Sequence, residues 1–69
     1  MMRVRPLGDF KMLGTRISVS KHKEYEGVHA VNQPDWERRG LIFITNAEGD
    51  DPVDGIGFLL SKEDYVIIT

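Results

Sequence analysis

The 69-residue chain has no cysteine. Disulfide staples are therefore excluded, and two histidines without cysteines fall short of the usual four-ligand zinc site. The lack of cysteine fits a reducing compartment. Long apolar runs are missing too: the longest, Leu41 to Ile44, has strand length, far below the roughly 20 residues of a membrane span. Met1-Met2-Arg3-Val4-Arg5 is basic but has no apolar segment behind it, so no secretory signal is read and a cytoplasmic location without membrane association is expected. No internal repeat, low-complexity tract or helix of ordinary length is visible.

What is present fits one small domain spanning residues 1–69. At this size only about 60% of the unfolded chain's surface is buried on folding, so a partner or a second copy would add needed apolar burial. The formal net charge of −2 is unevenly spread. Residues 1–40 carry eight Lys/Arg against five Asp/Glu, and residues 41–69 carry one Lys against six Asp/Glu. Such a split can steer a charged partner or pair copies head to tail, unless the two halves interleave in space.

Strand signals dominate. Val4 opens a short segment that Pro6 and Gly8 interrupt, an edge strand or an ordered tail. Alternation in Arg16-Ile17-Ser18-Val19-Ser20 puts Ile17 and Val19 on one inward face, with Gly14 as a bend that turns Leu13 inward as well. Tyr25 to Val31 reads as a further strand, with Tyr25, Gly27, His29 and Val31 on one face and a bulge at Gly27. In Pro34-Asp35-Trp36-Glu37-Arg38-Arg39-Gly40, proline suits the start of a helical turn. The acids suit its positive end, the arginines its negative end, and Gly40 a left-handed exit. Leu41 to Thr45, apolar on both faces, is expected to be the central strand, and Asn46 to Asp54 an exposed acidic loop. Gly57 to Leu60 and Tyr65 to Thr69 form two closing strands around the polar turn Ser61 to Asp64. The fold class is all-β: a small barrel of five to six strands, or a strongly bent antiparallel sheet, with one short helical turn.

The run Gly57-Phe58-Leu59-Leu60-Ser61-Lys62-Glu63-Asp64-Tyr65-Val66-Ile67-Ile68 resembles the end of Src-homology-3-like barrels. In those, a Gly-led strand meets one 3₁₀ turn and then Tyr-Val and a last strand. The resemblance implies a barrel. The chain departs from the peptide-binding members in lacking the turn proline and an opening acidic-aromatic motif, and in the distance of Trp36 from Tyr65. Separately, Arg3-Val4-Arg5-Pro6-Leu7-Gly8-Asp9 resembles the opening of the GroES-like co-chaperonins, which implies a small barrel docking on a chaperonin ring. The chain is much shorter than that family and has no mobile-loop tripeptide.

No serine sits in a Gly-x-Ser-x-Gly elbow, and neither His22 nor His29 has a recognisable nucleophile beside it, so no catalytic residue is assigned and a non-enzymatic protein is expected. The acidic loop lacks the alternation, central glycine and distal glutamate of an EF-hand and reads as a solvated turn. Gly55-x-Gly57 has neither the third glycine nor the helix of a dinucleotide fingerprint. No metal and no cofactor is assigned. Basic and aromatic residues are what remains for binding. Tyr25, Trp36, Arg38, Arg39 and Tyr65 are the candidates for a protein partner or a second copy, since Arg and Trp are enriched at interface hot spots. With Arg16, Lys21 and Lys23 the same set allows a nucleic-acid reading by base stacking and phosphate contact, against which the sequence pI near 5.5 stands. Trp36 has two roles open to it, a lid on one end of the barrel or an anchor at an interface.

Overall fold

The computed structural model describes residues 2–51 and 57–68. Seven strands are described: β1 (Met2–Pro6), β2 (Phe10–Lys11), β3 (Ser18–Val19), β4 (Tyr25–His29), β5 (Ile42–Ile44), β6 (Phe58–Leu60) and β7 (Tyr65–Ile67). A single helical turn, α1 (Trp36–Arg39), lies between β4 and β5, and a 3₁₀ turn, Lys62–Asp64, between β6 and β7. Five strands form one antiparallel sheet in the order β6-β5-β4-β1-β7, strongly curled into a half-barrel, and β2 pairs with β3 as a separate hairpin. The all-β expectation, with one short helical turn, holds.

Chain length explains the curl. Strands β6 and β7 lie at opposite ends of the sheet, yet only four residues separate Leu60 from Tyr65. A flat five-stranded sheet spans about 19 Å from edge to edge at its usual spacing. Four residues, three of them wound at a rise of about 2 Å each, fall short of that. The sheet has to bend until its ends approach.

Alternation decides what faces the interior. In β1 Val4 and Pro6 are buried while Arg3 and Arg5 are exposed, and β5 and β6 bury Ile42, Ile44, Phe58 and Leu60 in the same way. Ile17 and Val19, inward as read from their spacing, join Ala47 in covering this concave face. Full burial of one such aliphatic side chain contributes about 1.5–3 kcal/mol, so these few residues carry most of the fold.

Several local expectations are corrected. Strand β1 is second from the edge: Met2–Val4 pairs with β4 and Val4–Pro6 with β7. Pro6 is tolerated because the β4 ladder has already ended at Val4, so the missing N–H is not needed on that side. Leu13 is 93% exposed rather than inward. The Met12 N–H donates to the Ile17 carbonyl and Gly14 is left-handed (φ 76°), which places Leu13 at a hairpin apex beyond the core. Gly27 makes no bulge. Its register to Met2 and Ile44 is regular, and an added Cβ would meet the Ile42 side chain at 3.2 Å. Strand β4 stops at His29. The Ala30 N–H then bonds the Leu41 carbonyl, which buries Ala30 and leaves Val31 67% exposed. The central strand is β4 rather than β5, which has neighbours on both sides and no free edge.

The described part of the acidic loop is exposed at Asn46, Gly49 and Asp51, as expected, but it is anchored to the core rather than free. Ser18 and Glu48 exchange backbone hydrogen bonds of 2.9 Å each way, Ala47 is buried, and left-handed Gly49 (φ 80°) lies so close to the Arg16 carbonyl that a Cβ has no room. Residues 52–56, which take in the end of this loop and Gly55, and Thr69 of the last strand lie outside the described residues.

Candidate functional site

The residues with the chemistry for binding are brought together by one close approach. Gly40 ends α1 in the left-handed conformation (φ 60°), and the position its Cβ would take is 2.6 Å from the Cβ of Lys62. Only glycine lets the two segments meet so closely. The Tyr65 hydroxyl donates to the Gly40 carbonyl at 2.8 Å and ties the start of β7 to the same point. Burial pushes the Tyr65 phenol above its ordinary value, so it stays a neutral donor.

Between these clamped segments lies an open groove of about 420 Å³ lined by Arg38 and Arg39 on one wall and by Ser61, Lys62 and Glu63 on the other. Arg38 is oriented by Asp35, 2.8 Å away, and both side chains are well exposed, so this pair orients more than it stabilises. Asp35 is itself left-handed (φ 57°), unique among the described non-glycine residues. Aspartate tolerates that conformation better than most, but strained backbone tends to gather at functional sites. The Ser61 hydroxyl donates to Asp64 at 3.3 Å. Arg39 and Lys62 make no ion pair among the described residues. The Glu63 carboxyl is held below its usual range by a hydrogen bond from Ser61, then by its own backbone, with Lys62 and Arg39 adding their fields.

Trp36 points elsewhere. Its half-buried ring packs against His29 of β4, centroids 5.1 Å apart and planes at 45°. Beside this pair, Met2, Gly27, Val28 and His29 line a smaller hollow of about 260 Å³. α1 thus carries arginines towards one depression and its tryptophan towards another residue's ring.

Of the residues picked from sequence, Arg38 and Arg39 share the groove and Tyr65 braces it. Tyr25 does not belong there. It is 4% exposed, within the core, with its hydroxyl donating to Glu48 and accepting from the Ser20 N–H. An alternating strand position opposite Val4 puts it inside, so it is no surface contact. Lys23 is engaged by Glu48 at 2.8 Å, the Lys21 N–H by Asp9, and the Arg16 backbone packs on Gly49, so these three lie on the hairpin and its neighbours and do not line the groove. Sequence reading missed Ser61, Lys62 and Glu63. The signal available was Gly40, a left-handed exit that implies a close neighbour without naming it.

No group of three or more possible metal ligands occurs among the described residues, and no helix among them is long and apolar enough to cross a membrane. Protein families, curated proteins and solved structures offer no match to the chain.

Proposed function

We propose that this chain is a small cytoplasmic, non-enzymatic interaction module of the Src-homology-3-like barrel type, which docks a protein partner in the groove between α1 and the 3₁₀ turn. The observation that carries the reading is the pair Arg39 and Lys62. Two cations face one groove on walls clamped at Gly40, and neither forms an ion pair among the described residues, although both act on Glu63 of the same lining. Preorganised walls lower the ordering cost of binding, and arginine at such a site is a frequent hot spot. The strand order, with the 3₁₀ turn carrying the chain from one sheet edge to the other, supports the barrel type.

The nucleic-acid alternative has less support. Lys23 is already neutralised by Glu48, and two unpaired cations in one groove cannot track a phosphate backbone. Self-association would use a sheet edge. The described sheet ends at β6 and β7, where Leu59, Val66 and Ile67 are exposed.

The test is selection from a random peptide library on the wild-type protein and on Arg39→Glu/Lys62→Glu. Peptides enriched on the wild type and lost on the variant support docking in the groove. Absence of enrichment, or equal enrichment on both, contradicts it.

A further inference from the structure

We propose that the groove between α1 and the 3₁₀ turn recognises an acidic peptide segment, taking its carboxylates between Arg39 and Lys62; this rests on the docking function proposed above and names the chemistry of its partner. The lining carries three cations, Arg38, Arg39 and Lys62, against one carboxylate, Glu63. Arg38 is committed to Asp35, which lies outside the lining. The charges left for a ligand are the guanidinium of Arg39 and the ammonium of Lys62, on facing walls.

The site already stabilises one carboxylate. Glu63 is fully exposed, yet it is favoured in its charged form by the Ser61 hydroxyl and by the fields of Lys62 and Arg39. An incoming carboxylate would meet the same two cations, the single proton of the Ser61 hydroxyl being directed at Asp64. Guanidinium can hold it through two parallel hydrogen bonds, while the ammonium acts as a point charge from the other wall. Glu63 then competes with the ligand. Its own negative charge sets a threshold that a single weak acid does not overcome, and a segment with two or more carboxylates does.

Size and placement favour peptide over nucleic acid. A groove of about 420 Å³ suits one or two side chains with their backbone. A nucleic-acid strand needs a run of cations, and Arg16, Lys21 and Lys23 do not extend this groove. Gly40 and Tyr65 fix the spacing of the walls, so little rearrangement accompanies binding.

The experiment is fluorescence anisotropy with three labelled peptides of one length, glycine alternating with glutamate, glutamine or lysine, alongside a peptide from library selection and a DNA oligonucleotide. The glutamate peptide is expected to bind at least about tenfold more tightly than the glutamine one, and to weaken as salt rises. Arg39→Glu/Lys62→Glu should abolish its binding, and Glu63→Gln should tighten it by about two- to fivefold, the scale of one exposed charge. All three positions are solvent-facing, and circular dichroism confirms that the variants are folded. If the glutamine or lysine peptide binds as well as the glutamate one, or if only the library peptide binds, the acidic specificity is overturned while docking in the groove stands. DNA binding as tight as that of the glutamate peptide and lost with the same charge reversals overturns it as well.

Discussion

The hydroxyl of Tyr25 lies 2.6 Å and 2.5 Å from the two carboxylate oxygens of Glu48, although the two residues are 23 positions apart in the chain. The same hydroxyl accepts the Ser20 N–H at 2.8 Å, and Lys23 reaches Glu48 at 2.8 Å. One core tyrosine thus joins the middle strand, the loop after β5 and the connection after β3. A chain without disulfides holds its loops in this way.

Tyr25→Phe removes the shared partner and leaves Glu48 and the Ser20 amide without it. A loss of about 1–3 kcal/mol in unfolding free energy is expected, measured by urea denaturation, with a fall in melting temperature of about 4–8 °C per kcal/mol. A change within error would show the network to be incidental.

The network also sets a pH window. Burial pushes the Glu48 carboxyl up, but hydrogen bonds from Lys23, Tyr25 and its own backbone outweigh it and leave it below its ordinary 4.5. A depressed folded value gives stability that is present above about 4.5 and lost as pH falls through the folded value. Tyr25 is raised, by burial first and then by Glu48, so its contribution is complete below the ordinary 10.0 and lost as pH rises through the folded value. Denaturation midpoints should form a plateau between these limits. Glu48→Gln should flatten the acid limb and Tyr25→Phe the alkaline one, with Tyr65, also raised by burial, retaining part of the latter.

Two left-handed glycines separate conformation from contact. Gly14→Ala (φ 76°) meets open space, so it should cost about 1–2 kcal/mol, the conformational penalty alone. Gly40→Ala adds a clash with the Lys62 Cβ to the same penalty and should cost about 2–4 kcal/mol while forcing the groove walls apart. Chemical denaturation of the two variants side by side checks the ordering, and equal losses would remove the clamp from the account.

Leu13 and Ile44 are both aliphatic and differ in where they sit. Leu13→Ser, at a 93% exposed hairpin apex, should change stability by no more than about 0.5 kcal/mol. Ile44→Ala, fully buried on the concave face, should cost about 2–5 kcal/mol. A large effect at Leu13 in dilute solution would mean that the apex is covered.

The sequence made legible whatever depends on near neighbours. Alternation found Ile17 and Val19, the glycine after Arg38-Arg39 marked the helix exit, and the polar run Ser61 to Asp64 marked the turn before Tyr65. Placement that depends on distant segments was not legible. Nothing near Leu13 says that Gly14 makes an apex rather than an inward bend, and nothing near Pro6 says that the β4 ladder has ended by then. Glu48 read as part of a solvated loop because its partner lies two strands earlier in the chain. Half of the groove escaped notice for the same reason: Lys62 meets Gly40 only once the curled sheet has brought the 3₁₀ turn onto the end of α1.

Trp36 gives a spectroscopic check on α1. Packed on His29 and half-buried, it should show emission between the extremes of core and solvent and partial quenching by acrylamide. His29→Ala should shift the emission to the red and raise the quenching constant. An unchanged spectrum would place the indole elsewhere.

Docking between α1 and the 3₁₀ turn, as proposed, can be observed residue by residue through amide chemical-shift mapping. Labelled protein would be titrated with a peptide selected on the wild type. Shifts are expected to concentrate at Arg38, Arg39, Gly40 and Ser61 to Glu63, with the hairpin residues Lys11 to Val19 silent. Shifts centred on the hairpin, or along the β6 or β7 edge with the groove unmoved, would contradict it.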